Sequence, residues 1–156
     1  DKYAGYTIRR LCQEMHDFYK ERKVNVLQKH LFLKNYFPIY SMSPQEANYE
    51  LVRGHGELID LAEAEGRVAL EGGVPYPPGV PCIQPGEKWS KTAIAYFMAL
   101  AEVFNLFPGF TPELQGVYME RAADGKFHVY AQVLKKSMKK SYNGKVKDRL
   151  HAGTFC

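Results

Sequence analysis

Between Gly72 and Gly86 the chain carries five prolines, Pro75, Pro77, Pro78, Pro81 and Pro85. Each proline holds φ near about −65° and removes a backbone donor, so neither a helix nor a central strand can run through this stretch. The segment is therefore predicted to be extended and locally stiff, with Val80 to Ile83 as an edge strand, and regular structure must build up on either side of it. Tyr76 sits among restrained φ angles and costs little entropy to hold in place, which suits a rigid wall or lid contact. A stiff connector between strands would use the same residues.

Upstream, the pattern is helical. Thr7 can cap a first helix in which Ile8, Leu11, Cys12, Met15, Phe18 and Tyr19 recur at three- and four-residue steps, running to about Arg22. Val24, Leu27, His30, Leu31 and Tyr36 predict a second amphipathic helix that ends before Pro38. Ser43-Pro44-Gln45-Glu46 combines an N-cap, a first-turn proline and a capping-box glutamate, so a third helix starts there and stops at Gly54. The periodicity then changes: Glu57 to Leu61 and Arg67 to Leu70 read as short strands around a Glu65-Gly66 turn.

Downstream, Ser90 caps a long helix through Asn105, with Ile94, Phe97, Met98, Ala101, Phe104 and Asn105 at helical spacing and Tyr96 and Leu100 widening the apolar face. It is predicted to be the most buried helix, broken by Phe107-Pro108-Gly109-Phe110. Gln115 to Arg121 and Lys126 to Leu134 flank Ala122-Ala123-Asp124-Gly125, a hairpin signal, and Phe127, Val129, Ala131 and Val133 alternate along one face. Helices and short strands in separate runs define an α+β domain: N-terminal helices, a small antiparallel or mixed sheet, a long central helix and a C-terminal hairpin.

With 156 residues, 46% of them hydrophobic and 13% aromatic, the chain can bury one core. No run of about 18 apolar residues occurs and the N-terminus has no signal pattern, so the reading is a soluble, cytoplasmic protein without a membrane partner. The first residue is Asp1, and the chain is read as processed or cut from something longer. Cys12, Cys82 and Cys156 match neither a disulfide framework nor a metal knuckle and are read as buried or idle thiols.

The net charge of +4 is unevenly placed. From Lys135 onward seven Lys/Arg face a single acid, Asp148, while residues 1–134 carry a small negative excess. Residues 137–156 are accordingly predicted to be a basic, disordered tail appended to a domain spanning 1–136. Clustered lysine can neutralise phosphates, but apart from Tyr142 the lysines have no aromatic interleaving, so the tail is read as solvated and not as a nucleic-acid arm.

Signatures of independent chemistry are missing. His16, His30, His55, His128 and His151 show no pairing that would put two metal ligands on one helix face, and no nucleophile elbow, phosphate loop or dinucleotide fingerprint occurs. Glu14 with Asp17, or Glu63 with Glu65, could be imagined as acid/base pairs, yet exposed helix and turn positions are the common home of such residues. No catalytic, cofactor-binding or metal-ligating residue is assigned.

The run Tyr76-Pro77-Pro78-Gly79-Val80-Pro81, followed by Pro85-Gly86-Glu87, resembles the C-terminal domain of bacterial ornithine/lysine/arginine decarboxylases. Asp1 to Tyr6 and Leu11 to His16 are similar to that family's entry into this domain, and Pro108-Gly109-Phe110 to its exit, so the likeness spans residues 1–136. Pro112-Glu113-Leu114-Gln115-Gly116-Val117-Tyr118 resembles the ornithine branch more than the lysine branch.

The resemblance implies a larger, homo-oligomeric parent with an aminotransferase-like catalytic core, in which pyridoxal phosphate forms a Schiff base with a lysine and acts as electron sink. That lysine follows a Ser-x-His pair in the family, and no Ser-x-His-Lys occurs here. The chain would then bind no cofactor by itself, supplying instead packing against the core and part of the substrate entrance, with Gln115, Glu113 and Tyr118 as the foremost candidates for that wall and Tyr76 after them. The competing reading is a free-standing module of the same fold that engages acidic or nucleic-acid partners through its basic tail.

Overall fold

The computed structural model describes residues 2–76 and 79–136. The predicted basic tail, the thiol of Cys156, and Pro77 and Pro78 of the motif lie outside the described residues.

Three helices open the domain, each started by the expected local chemistry or close to it. In α1 (Ile8–Glu21) the Thr7 side chain accepts from the Arg10 N–H. Lys23, in the left-handed region at φ 52°, turns the chain into α2 (Val24–Leu31). Ser43 accepts from Glu46 N–H while the Glu46 carboxylate accepts from Ser43 N–H, a complete capping box at the head of α3 (Pro44–Val52). Gly54, at φ +73°, ends that helix as predicted.

The second helix is shorter than its apolar spacing predicts. Phe32 and Leu33 donate to Lys29 and His30 carbonyls, tightening the last turn, and Lys34–Tyr36 forms a separate 3-10 turn. The Tyr36 ring stacks on His30 at a centroid distance of 4.4 Å, which folds this turn back on the helix it was expected to extend.

The strands form three separate antiparallel sheets where a single small sheet was expected. β1 (Ile39–Tyr40) pairs with β4 (Glu87–Lys88), and β3 (Val74–Tyr76) with β5 (Glu113–Gln115). The third sheet has the order β2 (Gly56–Asp60), β7 (Phe127–Leu134), β6 (Tyr118–Arg121). The C-terminal hairpin β6–β7 turns at Ala122–Gly125, with Gly125 at φ +77°. Val129, Ala131 and Val133 are buried on alternate positions as the pattern required, with Phe127 half-buried.

Arg67 to Leu70 does not pair with β2. Leu61–Glu63 winds into a 3-10 turn capped by the Asp60 carboxylate, so no tight hairpin loop is available, and β2 instead runs beside β7. Residues 67–70 are held by single bridges, Val68 to Lys88 and Ala69 to Val133. Val80 to Ile83 likewise forms only the bridge from Gly73 to Ile83; the strand in the proline-rich stretch is β3. The predicted strand Gln115–Arg121 is split by Gly116, at φ +75°, whose missing side chain lets the backbone lie against the Gly72 carbonyl.

The core centres on α4 (Lys91–Leu106), capped by Ser90, whose hydroxyl accepts from Ala93 N–H. Seven of its residues are buried, more than in any other described helix. Phe97 meets Trp89 edge-on at 5.7 Å, and Leu61, Ile83, Val103 and Val133 complete the fully buried set. Two predicted face residues lie outside it: Met98 is exposed, and Asn105 is drawn away from the core because its amide both donates to and accepts from the Phe127 backbone at the start of β7. Among the described residues no helix is long and apolar enough to cross a membrane.

Candidate functional site

The proline-rich segment and the loop after α4 meet in the β3–β5 ladder, where Val74 faces Gln115, Pro75 faces Leu114 and Tyr76 faces Glu113. Strand alternation sorts the side chains. Pro75 is buried and Leu114 packs against the core, while Tyr76, Glu113 and Gln115 are exposed. Glu113 and Gln115, two residues apart, share this outer face, and the Gln115 amide donates to Glu113 Oε1 at 2.6 Å.

Tyr76 is braced from below. Gly79 N–H donates to the Pro75 carbonyl, and Gly79, at φ +77°, lies so close to the Tyr76 ring that a Cβ would fall 2.8 Å from it. The ring is thus 55% exposed yet backed along one edge by glycine.

Tyr118 begins β6, immediately beyond Gly116 and Val117. Its phenol donates to Glu71 Oε2 at 2.6 Å, and this bond, then burial, then the charge of Glu71 hold the phenol above its ordinary pKa. Glu71 was not singled out from the sequence. It stands 47 residues from its partner, and no spacing signal connects them.

The four predicted wall residues therefore fall on three strands, Tyr76 on β3, Glu113 and Gln115 on β5, and Tyr118 on β6 just beyond Gly116, with Tyr76, Glu113 and Gln115 in direct register or contact and Tyr118 tied to Glu71. Two carboxylates, an amide and two phenols offer hydrogen-bond acceptors suited to ammonium groups. They include no activated nucleophile and no lysine.

The later part of the proline motif has a different job. Gly86, at φ +89°, packs on the Met42 backbone, and its carbonyl accepts from both Ser41 and Met42 N–H at 3.0 Å. Glu87 accepts from Gln84 N–H and its residue pairs with Tyr40 in the β1–β4 ladder. Gly86 and Glu87 thus tie the end of the motif to the residues before α3, while Tyr76, Val80 and Pro81 are exposed.

The remaining polar candidates are scattered. Glu14 pairs with Arg10 and Asp17 accepts from Gln13, both along the outside of α1. Glu63 and Glu65 are exposed. His30 is stacked on Tyr36, and His55 bonds the buried Glu50 at 2.7 Å. Among the described residues no three His, Cys, Asp or Glu are grouped to hold a metal. Burial pushes the Cys82 thiol up to about 11, whereas Cys12 is exposed.

A concavity of about 800 Å³ between α2, α4 and β7 is lined by Val26, Leu27 and Met98 together with Arg22, which is engaged by Glu102. A pyridoxal site needs a desolvated lysine to form and protect its Schiff base. Every lysine among the described residues is exposed or only half-buried, so these residues do not fit that group.

Residues 25–135 match the family model for the Orn/Lys/Arg decarboxylase C-terminal domain. Over 135 residues, 86% of this chain and 18% of the relative, the chain is 56% identical to the inducible ornithine decarboxylase of Escherichia coli. Identity to that organism's inducible lysine decarboxylase is 32%, over 88% of this chain and 19% of the relative. The solved constitutive lysine decarboxylase of E. coli superposes with a TM-score of 0.70 at 30% identity, covering 82% of this chain and 18% of that one. The chain thus spans about one fifth of the length of these relatives. The sheets, the α4-centred core and the sequence together make this chain a member of the Orn/Lys/Arg decarboxylase C-terminal domain family.

Proposed function

We propose that this chain is the C-terminal part of a cytoplasmic, homo-oligomeric ornithine decarboxylase whose full-length form converts L-ornithine to putrescine and CO2. The observation that carries the reading is the gap in identity, 56% to an ornithine decarboxylase against 32% to a lysine decarboxylase over nearly the same span. Pyridoxal phosphate, held by the rest of the parent polypeptide, would supply the electron sink for CO2 loss.

Within that enzyme this chain packs against the catalytic body and contributes one wall of the substrate entrance. Glu113, Gln115 and Tyr76 on the β3–β5 face, with Tyr118 held by Glu71, present acceptors to the ammonium groups of an approaching diamino acid. Their role is attraction and orientation of the substrate.

The test is a comparison of putrescine, cadaverine and agmatine formation by the full-length parent on ornithine, lysine and arginine, beside the isolated chain with added pyridoxal phosphate. Ornithine should be strongly preferred by the parent, and the isolated chain should develop no protein Schiff-base absorbance near about 420 nm. Equal turnover of lysine would overturn the assignment of substrate. The alternative of a free-standing module acting through its basic tail draws nothing from the family match, which ends at residue 135.

A further inference from the structure

The exposed apolar side chains are not evenly spread. Phe32, Leu33, Tyr36, Phe37, Ile39 and Tyr40 are between 39% and 68% exposed, six large apolar groups within nine residues. Among the described residues no nine-residue window clear of this segment holds more than two. Lys34 is its only charged residue.

The segment is also poorly satisfied by its own domain. Neither the turn Lys34–Tyr36 nor β1 has a buried residue, and β1 is paired on one side only, leaving a strand edge open. It is nevertheless anchored from behind: Ser41 and Met42 are bonded to Gly86, Tyr40 pairs with Glu87, and His30 stacks on Tyr36. An anchored ribbon with outward apolar groups is a preformed contact surface rather than an unfinished core.

We propose that residues 32–40 dock onto the catalytic body of the same polypeptide, with Phe37, Ile39 and Tyr40 as the central contacts. This rests on the reading above that the chain is one part of a longer decarboxylase. The occupant follows from length and charge: matched relatives carry about four fifths of their sequence outside the aligned segment, and a patch with one charged residue calls for an apolar partner. The patch belongs to the β1–β4 ladder and the Tyr76–Glu113–Gln115 face to the β3–β5 ladder, two different sheets.

Amide hydrogen exchange of residues 34–40, measured in the isolated chain and in the full-length enzyme, tests this. Protection is expected to rise at least tenfold in the full-length enzyme. The double substitution Phe37→Asp/Tyr40→Asp should remove that gain while leaving the exchange of α4 amides unchanged. Equal exchange in both proteins would overturn the proposal, as would a dimer of the isolated chain that the same double substitution dissociates, since the patch would then serve a second copy. Ornithine turnover by the same full-length preparation separates the two ideas: protection without turnover sinks the substrate assignment, and turnover without protection sinks the docking surface.

Discussion

The phenol of Tyr118 donates to the Glu71 carboxylate at 2.6 Å, joining the start of β6 to the residue before the Gly72-Gly73 pair across 47 positions of chain. It links the two segments that bear the proposed entrance wall, so its removal should be read in substrate handling more than in folding. Tyr118 is 41% exposed, and Tyr118→Phe should cost no more than about 1 kcal/mol of stability. In the full-length enzyme it should raise KM for ornithine severalfold with kcat nearly unchanged, the mark of lost ground-state binding.

The same bond has a pH consequence. Glu71 holds the phenol neutral, so its folded pKa lies above the ordinary value of 10.0. A group whose folded pKa is raised stabilises the fold fully below the unfolded pKa and loses that contribution as pH climbs through the folded one. The contribution of Tyr118 should therefore persist through neutral pH and disappear above pH 10. Resonances of Tyr118 followed by NMR should titrate later than 10.0 in the native chain and earlier in Glu71→Gln.

Two thiols should differ in reactivity. Cys82 is buried and pushed up to about 11, so almost no thiolate exists at pH 8, whereas Cys12 is exposed. In a Cys156→Ser background, a brief treatment with an alkylating reagent at pH 8 should add one label, on Cys12. Peptide mapping checks it, and labelling of Cys82 at a comparable rate would contradict the packing described.

Gly116 should tolerate no side chain. Its φ is +75° and a Cβ would run into the Gly72 carbonyl. Gly116→Ala should destabilise the domain by more than about 2 kcal/mol, measured by urea unfolding, because backbone conformation and a backbone clash add together. By contrast, Gly125 also has a positive φ but nothing near its would-be Cβ, and Gly125→Ala should cost only about 1 kcal/mol.

Ser43→Ala should cost about 1 kcal/mol, since it removes the hydroxyl that accepts from Glu46 N–H while the backbone N–H of residue 43 still donates to the Glu46 carboxylate. The loss should appear in the unfolding midpoint of α3-dependent signals and be partly restored by Ser43→Asp.

Much of the fold was legible because its signals are local. Thr7, Ser43, Glu46 and Ser90 satisfy N–H groups only three residues away, and the Ala122–Gly125 turn closes on itself. The proline motif and its neighbours point to the family, and the resemblance alone singles out Tyr76, Glu113, Gln115 and Tyr118. The errors lie where competition is non-local: nothing in Arg67–Leu70 says that β7 will take β2 as its partner, and nothing around His30 says that Tyr36 will fold back on it.

What the sequence by itself determined is therefore the helix starts, the hairpin and the family. Tertiary structure alone decided which strands meet, that Gly116 splits one predicted strand into two, that Glu71 reaches Tyr118, and that an apolar ribbon from Phe32 to Tyr40 faces outward. The physical reason is range: caps and turns are settled by groups a few bonds apart, whereas strand partners and exposed faces depend on which distant surfaces remain unburied once the α4 core has packed.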